Sequence, residues 1–96
     1  MTAPWKTVWI TGASTGIGRE LALLLAADGV HVAVSARSKE KLDELARTHA
    51  NIHVFPLDVT VPSDVKATYG CIVEAHGAVD LAILNAGVWH PMPASR

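Results

Sequence analysis

Four short apolar runs, rich in β-branched and aromatic residues, are separated in this chain by three longer segments with helical periodicity. Trp5–Thr11 reads as a strand that stops at Gly12. Val30–Ser35 alternates apolar and polar residues, Ile52–Leu57 is a third extended run, and Leu81–Leu84 is a continuous apolar run suited to a strand covered on both faces. Between them, Ile17–Asp28 reads as a helix with Ile17, Leu21, Leu24 and Leu25 on one face and Gly29 as its C-terminal cap. A second helix is expected to start at Ser38, its N-cap, with Glu40 in the first turn and Leu42, Leu45 and Ala46 as its apolar stripe. A third is expected from a Thr60 cap to His76, with Pro62 in its first turn, Gly77 ending it and Val65, Tyr69, Ile72 and Val73 facing inward. Strands alternating with helices of this length predict βαβ units, a parallel sheet and right-handed crossovers. The class is α/β.

The chemistry concentrates in the turn after the first strand, Thr11-Gly12-Ala13-Ser14-Thr15-Gly16-Ile17-Gly18. A phosphate-binding turn uses glycine for three reasons. The chain must turn sharply off the strand, its backbone must approach a diphosphate with no Cβ between, and the helix must pack closely on the sheet. The free N–H groups and positive dipole end at Ile17 and Gly18 then face the anion, and Ser14 and Thr15 add hydroxyl donors. A glycine-rich turn alone is a weak signal; its place between a strand and a helix is what points to a dinucleotide.

The G-x-x-x-G-x-G spacing of this turn resembles the short-chain dehydrogenase/reductase family. Two further segments carry the same resemblance: Leu57-Asp58-Val59 closing the third strand and Asn85-Ala86-Gly87 closing the fourth. The resemblance covers the chain from about Lys6 to Val88. It implies that Asp58 bonds the adenine amino group and Val59 packs on the ring. It also implies that Asn85, Ala86 and Gly87 line the adenosine ribose and the approach to the nicotinamide. The expected architecture is the N-terminal portion of a doubly wound Rossmann-type domain, with strand order 3-2-1-4, two helices on one face and the third on the other.

Cofactor choice follows from charge. An NAD site usually carries a carboxylate at the end of the second strand, on the ribose hydroxyls. Here that place is at or near Ala36, and Arg37 follows, with Ser38 and Lys39 beyond. No carboxylate repels a 2′-phosphate and a guanidinium is present to bind one, so NADP(H) is expected over NAD(H). The family reduces or oxidises carbonyl/alcohol pairs with a Ser and a Tyr-x-x-x-Lys sequence. A tyrosine can protonate the alkoxide well only when a nearby Lys⁺ and the cofactor lower its pKa from about 10. This chain has one tyrosine, Tyr69, with Val at position 73, so no catalytic residue is assigned. His31, His49, His53, His76 and His90 show no metal-ligand spacing within one element, so no metal site is assigned. Cys71 reads as a buried or half-buried helix residue without a basic activator.

Composition bounds the rest. Eight Lys+Arg against nine Asp+Glu give a formal net charge of −1, which argues against nucleic acid bound by phosphate neutralisation. A single cysteine fits a reducing, cytoplasmic setting, and the first six residues lack the apolar core of a signal peptide. No apolar run reaches membrane-spanning length, so no membrane partner is expected. Half of the 96 residues are apolar, a large share for so short a chain. It suits part of a larger parallel-sheet domain, with a small-molecule substrate handled only by the longer protein and self-association through an uncovered face or sheet edge. A standalone nucleotide-binding module without catalysis, and a remnant whose glycine turn serves folding alone, are the alternatives.

Overall fold

A computed structural model describes residues 5–13, 16–58 and 60–84. The elements run β1 (Thr7–Thr11), α1 (Gly16–Ala27), β2 (His31–Ser35), α2 (Lys39–Ala46), β3 (Ile52–Val54), α3 (Pro62–His76) and β4 (Leu81–Leu84). All strand pairs are parallel and the order is β3-β2-β1-β4, as the alternation and the resemblance imply. Thr11 pairs with both Ser35 and Leu84, so three strands end at one level, where the chain turns off the sheet.

Each strand presents alternate residues to opposite faces. Val8, Ile10, Val32 and Val34 pack with Ala22 and Ala26 of α1 and with Leu42 and Leu45 of α2. Trp9 and Ala33, from the other face, pack with Leu57 and with Ile72 of α3. The first two helices therefore cover one face and the third covers the other. Trp9 is large and polar at one end, and its indole Nε1 donates to Ser35 Oγ at 2.9 Å inside the core.

The face that α1 turns inward departs from the sequence reading. Gly18, Ala22 and Ala26, four residues apart, are its buried positions, while Ile17 is 74% and Leu24 68% exposed. Leu21 and Leu25 flank the stripe, half-buried. Small residues at this spacing let the helix axis approach the valine-lined sheet, a requirement that a count of apolar residues does not register. Gly29 takes φ +88° and closes the helix, its N–H donating to the Ala26 carbonyl at 3.0 Å. In α2, Leu42 and Leu45 are buried and Ala46 is half-buried, the stripe expected of them.

Three boundaries also shift. The chain enters β1 at Thr7 rather than at Trp5. β3 stops at Val54, although Phe55 and Leu57 still donate to the Val34 and Ala36 carbonyls at 2.9 and 3.1 Å, while Pro56, which has no N–H, falls on the outer edge. The N-cap of α3 is Val61, without a side-chain cap bond. Thr60 stands one residue before that cap, and its hydroxyl and its N–H both donate to Asp58 Oδ1, at 2.6 and 2.9 Å. Within α3 only Ile72 is buried; Val65 and Val73 are half-buried, and Tyr69 is exposed with its ring 6.1 Å from that of Trp9. Cys71, expected inside, is exposed.

Two polar side chains hold strand entries together. Asn51 Nδ2 donates to the Ala26 and Val30 carbonyls at 2.9 and 2.7 Å, joining the end of α1 to the start of β2. Asp80 Oδ2 accepts from the Lys6 and Thr7 N–H groups at 2.8 and 3.1 Å, which aligns β4 with β1 and holds the carboxyl below its usual pKa. A carboxylate with a depressed folded-state pKa stabilises the fold above its unfolded pKa, and that stability is lost as pH falls through the folded value. Replacing Asp80 by Asn is therefore expected to flatten the decline of the unfolding midpoint below about pH 4. An unchanged acid limb in pH-resolved thermal melts would remove Asp80 from this role.

Candidate nucleotide site at the carboxyl edge of the sheet

The site is built where the strands end. Gly12 leaves β1 with φ +67° and Gly16 opens α1 with φ +62°, both in the left-handed region that side chains with a Cβ resist. Between them Ala13 is buried and its N–H donates to the Ser35 carbonyl at 3.3 Å, which fastens the turn to the end of β2. A Cβ placed on Gly16 would meet nothing within 4 Å, so the glycine leaves open space over the helix start. Gly18 is buried against the sheet. The first turn of α1 contains no acidic residue, whereas α2 has Glu40 there and α3 has Asp64. Its positive dipole end is left for an external anion.

Arg37 follows the end of β2 and is exposed, with no ion pair among the described residues. Lys39, also considered a helper from the sequence, is instead drawn onto Asp43 at 2.8 Å along α2. Ser38 caps α2, its Oγ facing the Lys41 N–H at 3.5 Å, so its local role is structural as expected. Asp58 is half-buried beyond β3. The Thr60 hydroxyl and N–H hold its carboxyl below the usual range, and the charge of Arg37 adds in the same direction. Asp58 is thus an anion that both orders the chain before α3 and faces the Arg37 side of the cleft.

Arg37 and Asp58 line one cavity of about 430 Å³ together with Leu57, Asp64 and Thr68. Asp64 and Thr68 were not singled out from the sequence. Their spacing of four places them on one side of α3, but only the strand order reveals that this side overlooks the end of β3. Ser14, Thr15, Val59, Asn85, Ala86 and Gly87 lie outside the described residues. The residues that are described, Gly12, Gly16, Ile17, Gly18, Arg37, Ser38 and Asp58, follow the ends of β1, β2 and β3 along the carboxyl edge of the sheet. In open parallel sheets this edge, beside a change in strand order, is where ligands bind. The change occurs here at β1, whose neighbours are β2 and β4.

Tyr69 has no lysine four residues on and sits beside Trp9, which leaves it a packing aromatic. A different group of residues does converge. His31, His53 and His76, dispersed in sequence, have ring nitrogens within 4.8 Å of one another. Register explains why spacing missed them. His53 lies opposite Ala33, so it shares a face with His31 two residues earlier, and the end of α3 brings His76 over the same place.

Comparison with known proteins agrees with this architecture. The short chain dehydrogenase family profile matches residues 6–96. An uncharacterized oxidoreductase of Listeria monocytogenes is 39% identical over 99% of this chain, which covers 40% of that protein. A mouse dehydrogenase/reductase, SDR family member 7, is 36% identical over 83% of the chain and 26% of its own length. Among solved structures, a short-chain glucose/ribitol dehydrogenase of Brucella melitensis superposes with TM-score 0.84 at 27% identity, over 94% of this chain and 40% of that one. A 3-ketoacyl-(acyl-carrier-protein) reductase of the same organism, solved with NADH, gives TM-score 0.82 at 29% identity over 90% of this chain and 36% of its own. The chain thus spans well under half the length of these relatives. With a glycine turn at the end of β1, a 3-2-1-4 parallel sheet and a family match along nearly its whole length, this chain belongs to the short-chain dehydrogenase/reductase family and forms its nucleotide-binding Rossmann portion.

Proposed function

We propose that this chain binds NADP(H) in preference to NAD(H), holding the dinucleotide for hydride transfer to or from a carbonyl/alcohol substrate. The observation that carries the proposal is the pairing of an open, acid-free helix start at Gly16 with Arg37, just past β2, which makes no ion pair among the described residues. The Gly12–Gly18 backbone would hold the diphosphate. Arg37 would take the 2′-phosphate, while Asp58 would accept from the adenine amino group and Val59 would pack on the ring. Ser14, Thr15, Val59, Asn85, Ala86 and Gly87 are assigned to the same site by their match to the family motifs. Bound NADPH supplies a hydride; the residues of this chain bind and orient it, and none is assigned the proton.

The chain has no Tyr-x-x-x-Lys sequence, its one tyrosine being Tyr69 with Val at position 73, so we expect it to bind nucleotide without turnover. Substrate contacts are proposed to come from the longer protein. An exposed, unpaired Cys71 suits a reducing compartment such as the cytoplasm, and no helix among the described residues is long and apolar enough to cross a membrane. Ile17 and Leu24, exposed on α1, and the outer edge of β4, unpaired among the described residues, favour association with a second copy. Sedimentation is expected to show dimers or larger species growing with concentration; a monomer at millimolar concentration would count against this.

Two glycines separate binding from folding. Gly16 and Gly29 stand near opposite ends of α1, both at positive φ and both with room for a Cβ. Alanine at either should cost about 1–2 kcal/mol of stability through strain alone. Gly16→Ala also sets a methyl where the diphosphate approaches, so NADP⁺ affinity should fall by about tenfold or more. Gly29→Ala should leave affinity unchanged. Equal affinities in the two variants, measured by calorimetric titration, would assign the glycine turn to folding alone.

A further inference from the structure

His31 opens β2, His53 is the middle residue of β3 and His76 closes α3. Because α3 runs back against the strand direction, its last turn lies over the amino edge of the sheet. This is the edge away from Arg37, which lies six residues beyond His31, or about 20 Å along an extended chain. The cluster is therefore separate from the nucleotide cleft. Its three rings lie in one group, His31 stacked on both others at centroid distances of 5.4 Å to His53 and 6.0 Å to His76, and His53 tilted against His76 at 4.0 Å.

The nitrogens converge as well as the rings. His31 Nδ1 and His53 Nε2 stand 3.1 Å apart, and one nitrogen from each of the three residues lies within 4.8 Å of the others. Two imidazole ligands at Zn–N distances of 2.0–2.1 Å around a tetrahedral ion are about 3.3 Å apart. One side of the triangle is already at ligand spacing, and His76 must move in by only about 1–2 Å to complete it. No carboxylate of the described residues forms an ion pair with any of the three. Protonated, the rings repel one another; neutral, each ring keeps one unprotonated nitrogen able to ligate. His31 is exposed and the other two are half-buried, which leaves a path for an ion and a water-facing coordination position.

We propose that His31, His53 and His76 form a binding site for one divalent late-transition ion, of which Zn(II) is representative, with water as the fourth ligand. Imidazole ligands suit Zn(II), Cu(II) and Ni(II) and disfavour Mg(II), which selects oxygen. Burial, together with the charges of His76 and His31, lowers the pKa of His53 and so favours its neutral, ligating form. The ion acts as a staple. α3 has one buried side chain, Ile72, and coordination through His76 fixes its far end to β2 and β3.

Titration of the unmutated protein with Zn(II) tests this. One ion per chain is expected to bind, shifting the ring NMR signals of His31, His53 and His76 together while those of His49 stay in place. The melting temperature should rise with Zn(II) and not with Mg(II). Loss of an outer-shell partner already weakens metal sites roughly 10–100-fold, so His31→Ala, His53→Ala and His76→Ala should each weaken binding by more than about tenfold. His49→Ala should leave it unchanged. Ring signals of the three histidines that do not respond to Zn(II) would overturn the proposal without recourse to any variant. So would Zn(II) binding that survives His31→Ala, a substitution at an exposed position whose folding thermal melts without metal check.

Discussion

Arg37→Asp is expected to reverse the nucleotide preference, weakening NADP⁺ binding by roughly 10–100-fold while NAD⁺ binding holds or improves. Two effects add. The guanidinium would make charge-assisted bonds to the 2′-phosphate, each contributing about 1.5–3 kcal/mol, and its removal forfeits them. The new carboxylate then repels the phosphate dianion, yet it can accept from the ribose hydroxyls of NAD⁺, the role that an acidic residue plays at this strand end in NAD sites. Arg37 is exposed and makes no ion pair among the described residues, so the substitution should change stability little. Parallel titrations with NADP⁺ and NAD⁺ check the reversal, and equal NADP⁺ affinity in variant and parent would refute the assignment of Arg37.

Ile72→Ala should be the most damaging single truncation of α3. Ile72 is fully buried, packs with Trp9, Ala33 and Leu57, and is the only buried side chain that the helix contributes. Large-to-small changes at such positions cost about 2–5 kcal/mol, and in a domain of this size each kcal/mol lowers the melting temperature by about 4–8 °C. Leu24→Ala provides the contrast. Leu24 is 68% exposed, and truncation there should stay within about 0.5 kcal/mol of the parent. Thermal melts that ranked Leu24 above Ile72 would contradict the packing described for both helices.

That contrast shows where the sequence was readable. Short apolar runs and period 3.6 located the four strands and three helices of the described residues, and the glycines at positions 29 and 77 marked the ends of α1 and α3. The glycine turn and Arg37 were nominated from the sequence because they come after the ends of the first two strands, and Asp58 because Ile52–Leu57 reads as one extended run. Hydropathy misplaced α1, since close helix–sheet approach rewards Gly18, Ala22 and Ala26 over the larger Ile17 and Leu24. Thr60 looked like a cap, but the cap of α3 falls one residue later at Val61, and Thr60 turns its donors onto Asp58. Asp64, Thr68 and the three histidines needed strand order and register, which join residues that are distant in the chain.

The central claim is that a phosphorylated dinucleotide occupies the carboxyl edge of this sheet. Amide NMR during titration with NADP⁺ tests it most directly. Saturable shifts are expected at Gly12, Gly16–Gly18, Arg37 and Asp58, with His31 and Asp80 at the opposite edge unmoved. A folded chain whose spectrum did not change with NADP⁺, or changed only at the opposite edge, would contradict it.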